Sequence, residues 1–115
     1  MIFVLSAVAP ERFDAAVSNA AWALRAGGMV LFRDYGRYDL AQLRFPPGRR
    51  LQRGCYVRGD GTLSYFFEHA ELHALFERHG FETVECVTRF REITNHKRQL
   101  NMHRVWVQAK FRKRG

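Results

Sequence analysis

The run Met29-Val30-Leu31-Phe32-Arg33-Asp34-Tyr35-Gly36 sets the fold expected of this chain. Four apolar residues in succession, bounded by charge and a glycine, fit a short strand covered on both faces, as in a parallel sheet. A similar run, Ile2-Phe3-Val4-Leu5, stands near the start and is ended by Ser6, Ala7 and Pro10. Between the two, Phe13, Val17, Ala20, Ala21 and Leu24 recur at helical spacing, with Pro10 suited to a first helical position and Gly27-Gly28 to a stop. Strand, helix and strand joined by tight loops form a βαβ unit. Such a unit puts the carboxyl ends of its strands, here near Ser6 and Arg33 to Gly36, on one rim of the sheet. Polar residues on that rim are candidates for function.

Downstream, periodicity fades between Arg37 and Arg53, where Pro46, Pro47 and Gly48 mark an exposed excursion with one helical turn at Asp39 to Leu43. Without a ligand this excursion is expected to be mobile. Tyr56-Val57 and Leu63 to Phe67 flank Gly59-Asp60-Gly61, the pattern of a β-hairpin with Asp60 in its turn. Glu68 and Glu71, then Leu72, Leu75 and Phe76 on one face, then Gly80, predict a second helix with acids in its first turn and a glycine stop. Two alternating segments follow and are read as antiparallel strands. Phe81 to Ile93 carries Val84, Cys86, Thr88 and Phe90 on one face, and Arg104 to Arg112 carries Val105, Val107, Ala109 and Phe111. Their linker, Asn95 to His103, has Lys97 and Arg98 at its tip. No repeat and no second domain is visible.

With 115 residues, 47% hydrophobic and 14% aromatic, the chain can bury a core of its own. No stretch approaches the roughly 18 apolar residues that a membrane-spanning helix needs. The first nine residues lack the basic flank of a secretory signal. Cys55 and Cys86 are two isolated thiols with no zinc spacing, so neither disulfide nor metal is expected. The five histidines are expected to be surface or half-buried residues. Nineteen Lys and Arg against eleven Asp and Glu give a net charge of +8, a balance found in chains that meet phosphate. Arg33, Arg37, Arg44, Arg49, Arg50, Arg53 and Arg58 crowd the middle, and no acid follows Glu92. Solvated faces account for the terminal Arg112-Lys113-Arg114 as well as RNA does; for the middle cluster, function is the preferred reading.

The words themselves are more specific. Ile2-Phe3-Val4-Leu5-Ser6-Ala7, Val30-Leu31-Phe32-Arg33-Asp34-Tyr35-Gly36, Tyr38-Asp39, Leu43-Arg44-Phe45, Tyr56-Val57-Arg58-Gly59-Asp60-Gly61-Thr62 and Ser64-Tyr65-Phe66-Phe67 resemble the methyltransferase-like family that makes 3-methylcytidine in tRNA. Asn95, Lys97-Arg98-Gln99-Leu100, Arg104-Val105-Trp106-Val107-Gln108 and Lys110 extend the resemblance over nearly the whole chain. It implies an α/β chain, the C-terminal half of a Rossmann-like class I methyltransferase domain: a βαβ unit, then a helix and antiparallel terminal strands. It implies S-adenosylmethionine as cofactor in the complete enzyme and an anticodon-loop cytidine, flipped from its stack, as acceptor. N3 of neutral cytosine already carries a lone pair, so such an enzyme must orient donor and base and exclude water rather than generate a nucleophile. By the same resemblance Ile2 packs against the donor, and Asp34 and Tyr35 are the candidate catalytic residues. Tyr35 would stack on a base, and Arg33 would hold a phosphate or the cytosine carbonyl. Asp34 would orient Arg33 or accept from an amine; a turn residue and a core aromatic are the plain structural readings of Asp34 and Tyr35. Arg33, Arg44, Arg58, Lys97 and Arg98 are the candidate RNA contacts.

Two features of the family pattern are missing: a glycine-rich loop after a first strand and an acid ending a second strand to hold the donor ribose. The chain is therefore expected to be part of one methyltransferase domain without its donor-binding half, inactive alone, poorly soluble, and bare along the edge of its first strand. A basic RNA-binding remnant of that fold is the alternative, and a ribosome-associated protein is a third reading that leaves the quoted words unexplained. Transfer RNA is the expected partner, with an aminoacyl-tRNA synthetase or another adaptor a candidate and no membrane or metal called for. Cytoplasm is the default compartment.

Overall fold

The computed structural model describes the backbone of residues 1, 4–46, 48–95 and 100–115, and their side chains except at 40, 41, 93–95 and 100–103. In chain order the elements are α1 (Phe13–Ala23), β1 (Met29–Tyr35), α2 (Leu40–Leu43), β2 (Arg50–Gln52), β3 (Cys55–Val57), β4 (Leu63–Tyr65), α3 (His69–Glu77), β5 (Phe81–Asn95) and β6 (Leu100–Lys113). Short 3-10 turns, Leu5–Ala7 and Pro10–Arg12, precede α1. The main sheet has the order β1-β6-β5, with both pairs antiparallel. β2, β3 and β4 form a separate small meander.

On its other edge β1 meets the start of the chain. The Met1 ammonium donates to the Leu31 carbonyl at 2.9 Å, and the Arg33 amide donates to the Met1 carbonyl at 2.9 Å. That alternation is a parallel register opposite Phe32, so the βαβ reading is correct in direction. The strand expected over Ile2 to Leu5 does not reach Leu5, however. Val4 is already in the helical region and Leu5–Ala7 form a 3-10 turn; Ile2 and Phe3 lie outside the described residues. The turn has a physical reason: it brings the Ser6 amide to 2.9 Å from the Asp34 carboxylate.

Strand alternation sends Val30 and Phe32 to the same face as Val107, Ala109 and Phe111, and all five are buried. Helices α1 and α3 cover that face with Phe13, Val17, Leu72, Leu75 and Phe76. Phe76 stacks flat on Phe111 at 3.8 Å between ring centres, and Phe32 meets Phe67, Phe76 and Phe111 edge-on. Phe66 and Phe67 are core residues, as expected. Two residues expected on the apolar face of β5 are not buried. Val84 sits at a bulge between Thr83 and Glu85, and Phe90, opposite Val105, lies where the β5–β6 hairpin has run past the end of β1. The segment expected to be irregular contains α2 and the short strand β2. Asp60 does close the hairpin turn, accepting from the Thr62 amide at 3.0 Å and hydroxyl at 2.6 Å.

Helix ends follow local chemistry. Glu68 caps α3 in a reciprocal box with Glu71, the longer side chain doing the work usually given to a hydroxyl. α1 stops at Ala23, and the Lys113 ammonium donates to the carbonyls of Ala21 and Leu24 at its end. The two helices are joined by Asp14, which binds Arg78 at 2.7 Å and His79 at 2.7 Å. Those donors hold the Asp14 carboxyl at about 2, below its ordinary 3.8. A depressed carboxyl stabilises the fold above its unfolded value and loses that contribution as pH falls through the folded one. Acid unfolding followed by circular dichroism should therefore steepen between about pH 4 and pH 2, and Asp14→Asn should flatten that limb without changing the alkaline one.

Candidate functional site

The rim at the end of β1 is built around two buried acids. Asp34 is fully buried and accepts from the Ser6 amide at 2.9 Å through one oxygen and from the Tyr35 amide at 2.8 Å through the other. Burial pushes its carboxyl above the usual range, opposed by those hydrogen bonds. Arg33 leaves the opposite face of the strand and donates to Gln108 at 3.1 Å, so Asp34 does not orient it. Tyr35 is half-buried against Phe66, 5.5 Å between ring centres. The second acid is Asp39, which the sequence offered as the start of a helical turn and as part of a family word but not as a clamp. Its carboxylate accepts from the Val105 amide at 2.7 Å and the Arg104 guanidinium at 2.9 Å, fixing the β5–β6 hairpin to the turn after β1.

Between these strand ends and α3 lies Arg37, only 12% exposed. It donates to the Phe66 carbonyl at 2.6 Å and pairs with Glu68 at 2.8 Å and Glu71 at 3.2 Å. Glu71 also accepts from the Tyr65 hydroxyl at 2.8 Å. The guanidinium lies over Gly54, where an added Cβ would come within 2.6 Å of it and where φ is +79°. Arg37, a member of the basic middle cluster in sequence, is thus consumed internally, and Arg53 also pairs with Glu68.

Phe66 continues from Tyr35 to Tyr56 and Phe45, which stack on each other at 4.9 Å. Beyond them opens a cavity of about 460 Å³ lined by Arg44, Phe45, Pro46, Arg49, Val57, Arg58, Gly59 and Ser64. Two candidate RNA contacts, Arg44 and Arg58, meet here, joined by Arg49. Among the described residues no carboxylate lines the cavity. Arg58 donates to the Ser64 hydroxyl at 3.4 Å, with Asp60 near it, and Arg44 and Arg49 have no acidic partner among the described residues. The terminal cations differ: Arg112 pairs with Glu82, Arg114 with Glu77, and Lys113 caps α1. Ile2, Lys97 and Arg98 lie outside the described residues.

The other groups singled out in the sequence have plain roles. Cys55 and Cys86 are free thiols, and burial pushes both up. His69 and His73 hydrogen-bond Thr88 and Thr83, tying α3 to β5. Among the described residues no three His, Cys, Asp or Glu side chains gather as a metal site, and no helix is long and apolar enough to cross a membrane.

A sheet that ends in an antiparallel hairpin, with both helices on one face and its acids at the strand ends, is the second half of the Rossmann-like methyltransferase architecture. Solved structures bear this out. The chain superposes over 99% of its length on an S-adenosylmethionine-dependent methyltransferase of Methanosarcina mazei, with TM-score 0.67 and 17% identity, covering 57% of that protein. It superposes equally fully on the 1,6-didemethyltoxoflavin-N1-methyltransferase of Burkholderia thailandensis, with TM-score 0.62 and 16% identity, covering 43% of it. In sequence the chain is homologous to the tRNA 3-methylcytidine methyltransferases over nearly its whole length. It is 50% identical over 113 residues to the tRNA N(3)-cytidine methyltransferase of Danio rerio. It is 49% identical over 111 residues to the tRNA(Thr) (cytosine(32)-N(3))-methyltransferase of Saccharomyces cerevisiae. It spans 32% of the first relative's length and 18% of the second's. No family model matches the chain.

Removing the Arg37 charge while keeping its bulk leaves two carboxylates and a carbonyl without their donor. Arg37→Met should lower stability by about 2 kcal/mol, the order expected for one member of a largely buried pair with partly exposed partners. A melting temperature equal to wild type would show that the network does not hold the meander.

Proposed function

We propose that this chain is the acceptor-side half of an S-adenosylmethionine-dependent methyltransferase that forms 3-methylcytidine in the anticodon loop of tRNA. The observation that carries the reading is the convergence of Arg44 and Arg58, with Arg49, on one cavity that no carboxylate of the described residues lines, in a chain half identical to enzymes named for that reaction. Half-identity over a third of a relative's length supports the activity for the whole protein, not for this part alone.

The donor, when bound, supplies the electrophilic methyl group. The described residues do not hold it by themselves, because Asp34, the acid at the end of β1, already spends both oxygens on amides. The donor is assigned to the complete domain, with Ile2 as the contribution of this half. What the described residues do is shape the acceptor side. Asp34 locks the β1 terminus to Ser6, so that Tyr35 and Gly36 keep a fixed position on the rim. Tyr35 is assigned to stacking with the target base, and Arg33 and Tyr35 share the face of the sheet away from the helices. Asp34 acts by positioning, and its test must separate geometry from folding. Lys97 and Arg98, which stand in the sequence between β5 and β6, are assigned to the same RNA contact.

In a protein of the relatives' length, with donor and an unmodified tRNA anticodon stem-loop, radiolabelled methyl should enter cytidine N3. Asp34→Ala should abolish that transfer at a temperature well below its own melting point. Transfer retained by Asp34→Ala would remove Asp34 from the site. No transfer by the unsubstituted protein, with RNA still bound, would favour a binding remnant of the fold.

The arginines are assigned to phosphates, so tRNA affinity should fall steeply with salt, with a log–log slope of about −0.7 to −0.9 per phosphate contact. Arg44→Ala and Arg58→Ala should each reduce that slope by about one contact. Unchanged slopes would place the RNA elsewhere.

A further inference from the structure

We infer that the cavity between α2 and the β3–β4 hairpin is a subsite for one unstacked nucleotide of the RNA, separate from the cytidine that is methylated. The inference rests on the RNA-methyltransferase reading and deepens it. A surface that only grips a phosphate backbone needs cations, and it does not need a hollow. Here the cations surround one of about 460 Å³, within the range of about 300–1,000 Å³ typical of small-molecule sites.

Its chemistry is divided in the way a nucleotide is divided. Phe45, Pro46 and Val57 supply the apolar part of its lining, and Phe45 is held by its stack on Tyr56 and by the edge of Phe66. A base, flat and apolar on both faces, gains roughly 1–3 kcal/mol from such a surface. Arg44, Arg49 and Arg58 line the same hollow, with the Ser64 hydroxyl between strands. Arg37, Arg53, Arg104, Lys110, Arg112 and Arg114 each have a carboxylate within 3.5 Å. Arg44 and Arg49 have none among the described residues, and of the arginines left without one these two line the hollow together. One nucleotide carries both an anion for the arginines and a flat face for the apolar lining, so the pairing of the two favours a nucleotide.

The distance from the reaction follows from the fold. Tyr35 is not among the residues that line this hollow and is linked to Phe45 through the buried ring of Phe66, so a base at Tyr35 and a base in the hollow occupy two positions. One flipped base at the strand end and another held here would together splay the loop and fix its register, a task that phosphate contacts alone leave open.

The test uses the full-length protein and a series of anticodon stem-loops, each lacking one loop base or carrying one neutral methylphosphonate. Affinity is read by fluorescence anisotropy and methylation in parallel. Removal of one base other than the target should weaken wild-type binding roughly tenfold. It should change the affinity of Val57→Trp, which fills the hollow, less than twofold. Neutralising the adjacent phosphate should weaken wild type but not Arg49→Glu, an exposed substitution that leaves the core intact and keeps the test decisive if Val57→Trp does not fold. Base and phosphate effects equal in wild type and both variants would overturn the subsite, and normal methylation by the wild type would show that the enzymatic reading survives it. Wild-type protein that neither binds nor methylates the stem-loop would overturn both.

Discussion

Arg37 ties together three parts of the chain that have no covalent reason to meet. Its guanidinium stands beside the turn that follows β1, reaches the carbonyl of Phe66 after β4, and neutralises the two glutamates that cap α3. A cation so nearly buried is tolerable only when its donors are matched, and the matching fixes geometry as well as charge. Because Glu68 and Glu71 also form the reciprocal cap of α3, and Glu71 takes the Tyr65 hydroxyl, a shift of Arg37 would be felt at the helix start and in the meander. The meander has three strands of three residues each and could not be stable alone. It stands at the end of β1 because Arg37 and the parallel contact between Gly36 and Phe67 hold it there.

Asp39 does the corresponding work on the other side of that turn. By taking the Val105 amide and the Arg104 guanidinium it sets the angle at which the hairpin of β5 and β6 leaves the sheet. Strand end, meander and hairpin are thus referred to one short stretch, residues 34–39, which explains how a rim assembled from distant parts of the sequence can keep a fixed shape. The proposed acceptor side is made of these same three parts.

Much of the fold was visible in the sequence because it depends on periodicity. The helices and the β1, β5 and β6 runs repeat at the spacings that burial demands, and each was found close to where it lies. What periodicity cannot show is pairing. Leu5 looked like the last residue of a strand, yet the Asp34 carboxylate draws the Ser6 amide into a turn, and that partner is 28 residues away. β2 is wholly exposed and has no alternation to detect. Phe90 sits on the expected face, but the helices that cover that face elsewhere do not extend beneath it. Within the candidate site, Arg44 and Arg58 were picked from a basic cluster and did converge. Arg49 was set beside them only by the meander, and Asp39 was invisible as a clamp because its partners come from the last strand.

Net charge is a poor guide to where this protein would meet RNA. The two basic zones of the sequence look alike in composition, and only the fold separates them. At the C-terminal end of β6 the cations are spent on Glu82, Glu77 and the last carbonyls of α1, so that stretch is a fastening of the sheet to its helices. In the middle zone Arg37 and Arg53 are likewise spent, on glutamates that the α3 cap places beside them. Among the arginines left without a carboxylate, Arg44 follows α2 and Arg49 precedes β2, and both line the cavity. An uncompensated cation at such a place costs the fold little in water and gains much when a phosphate arrives. The same acids that build the meander therefore also select which of its arginines remain open to a ligand.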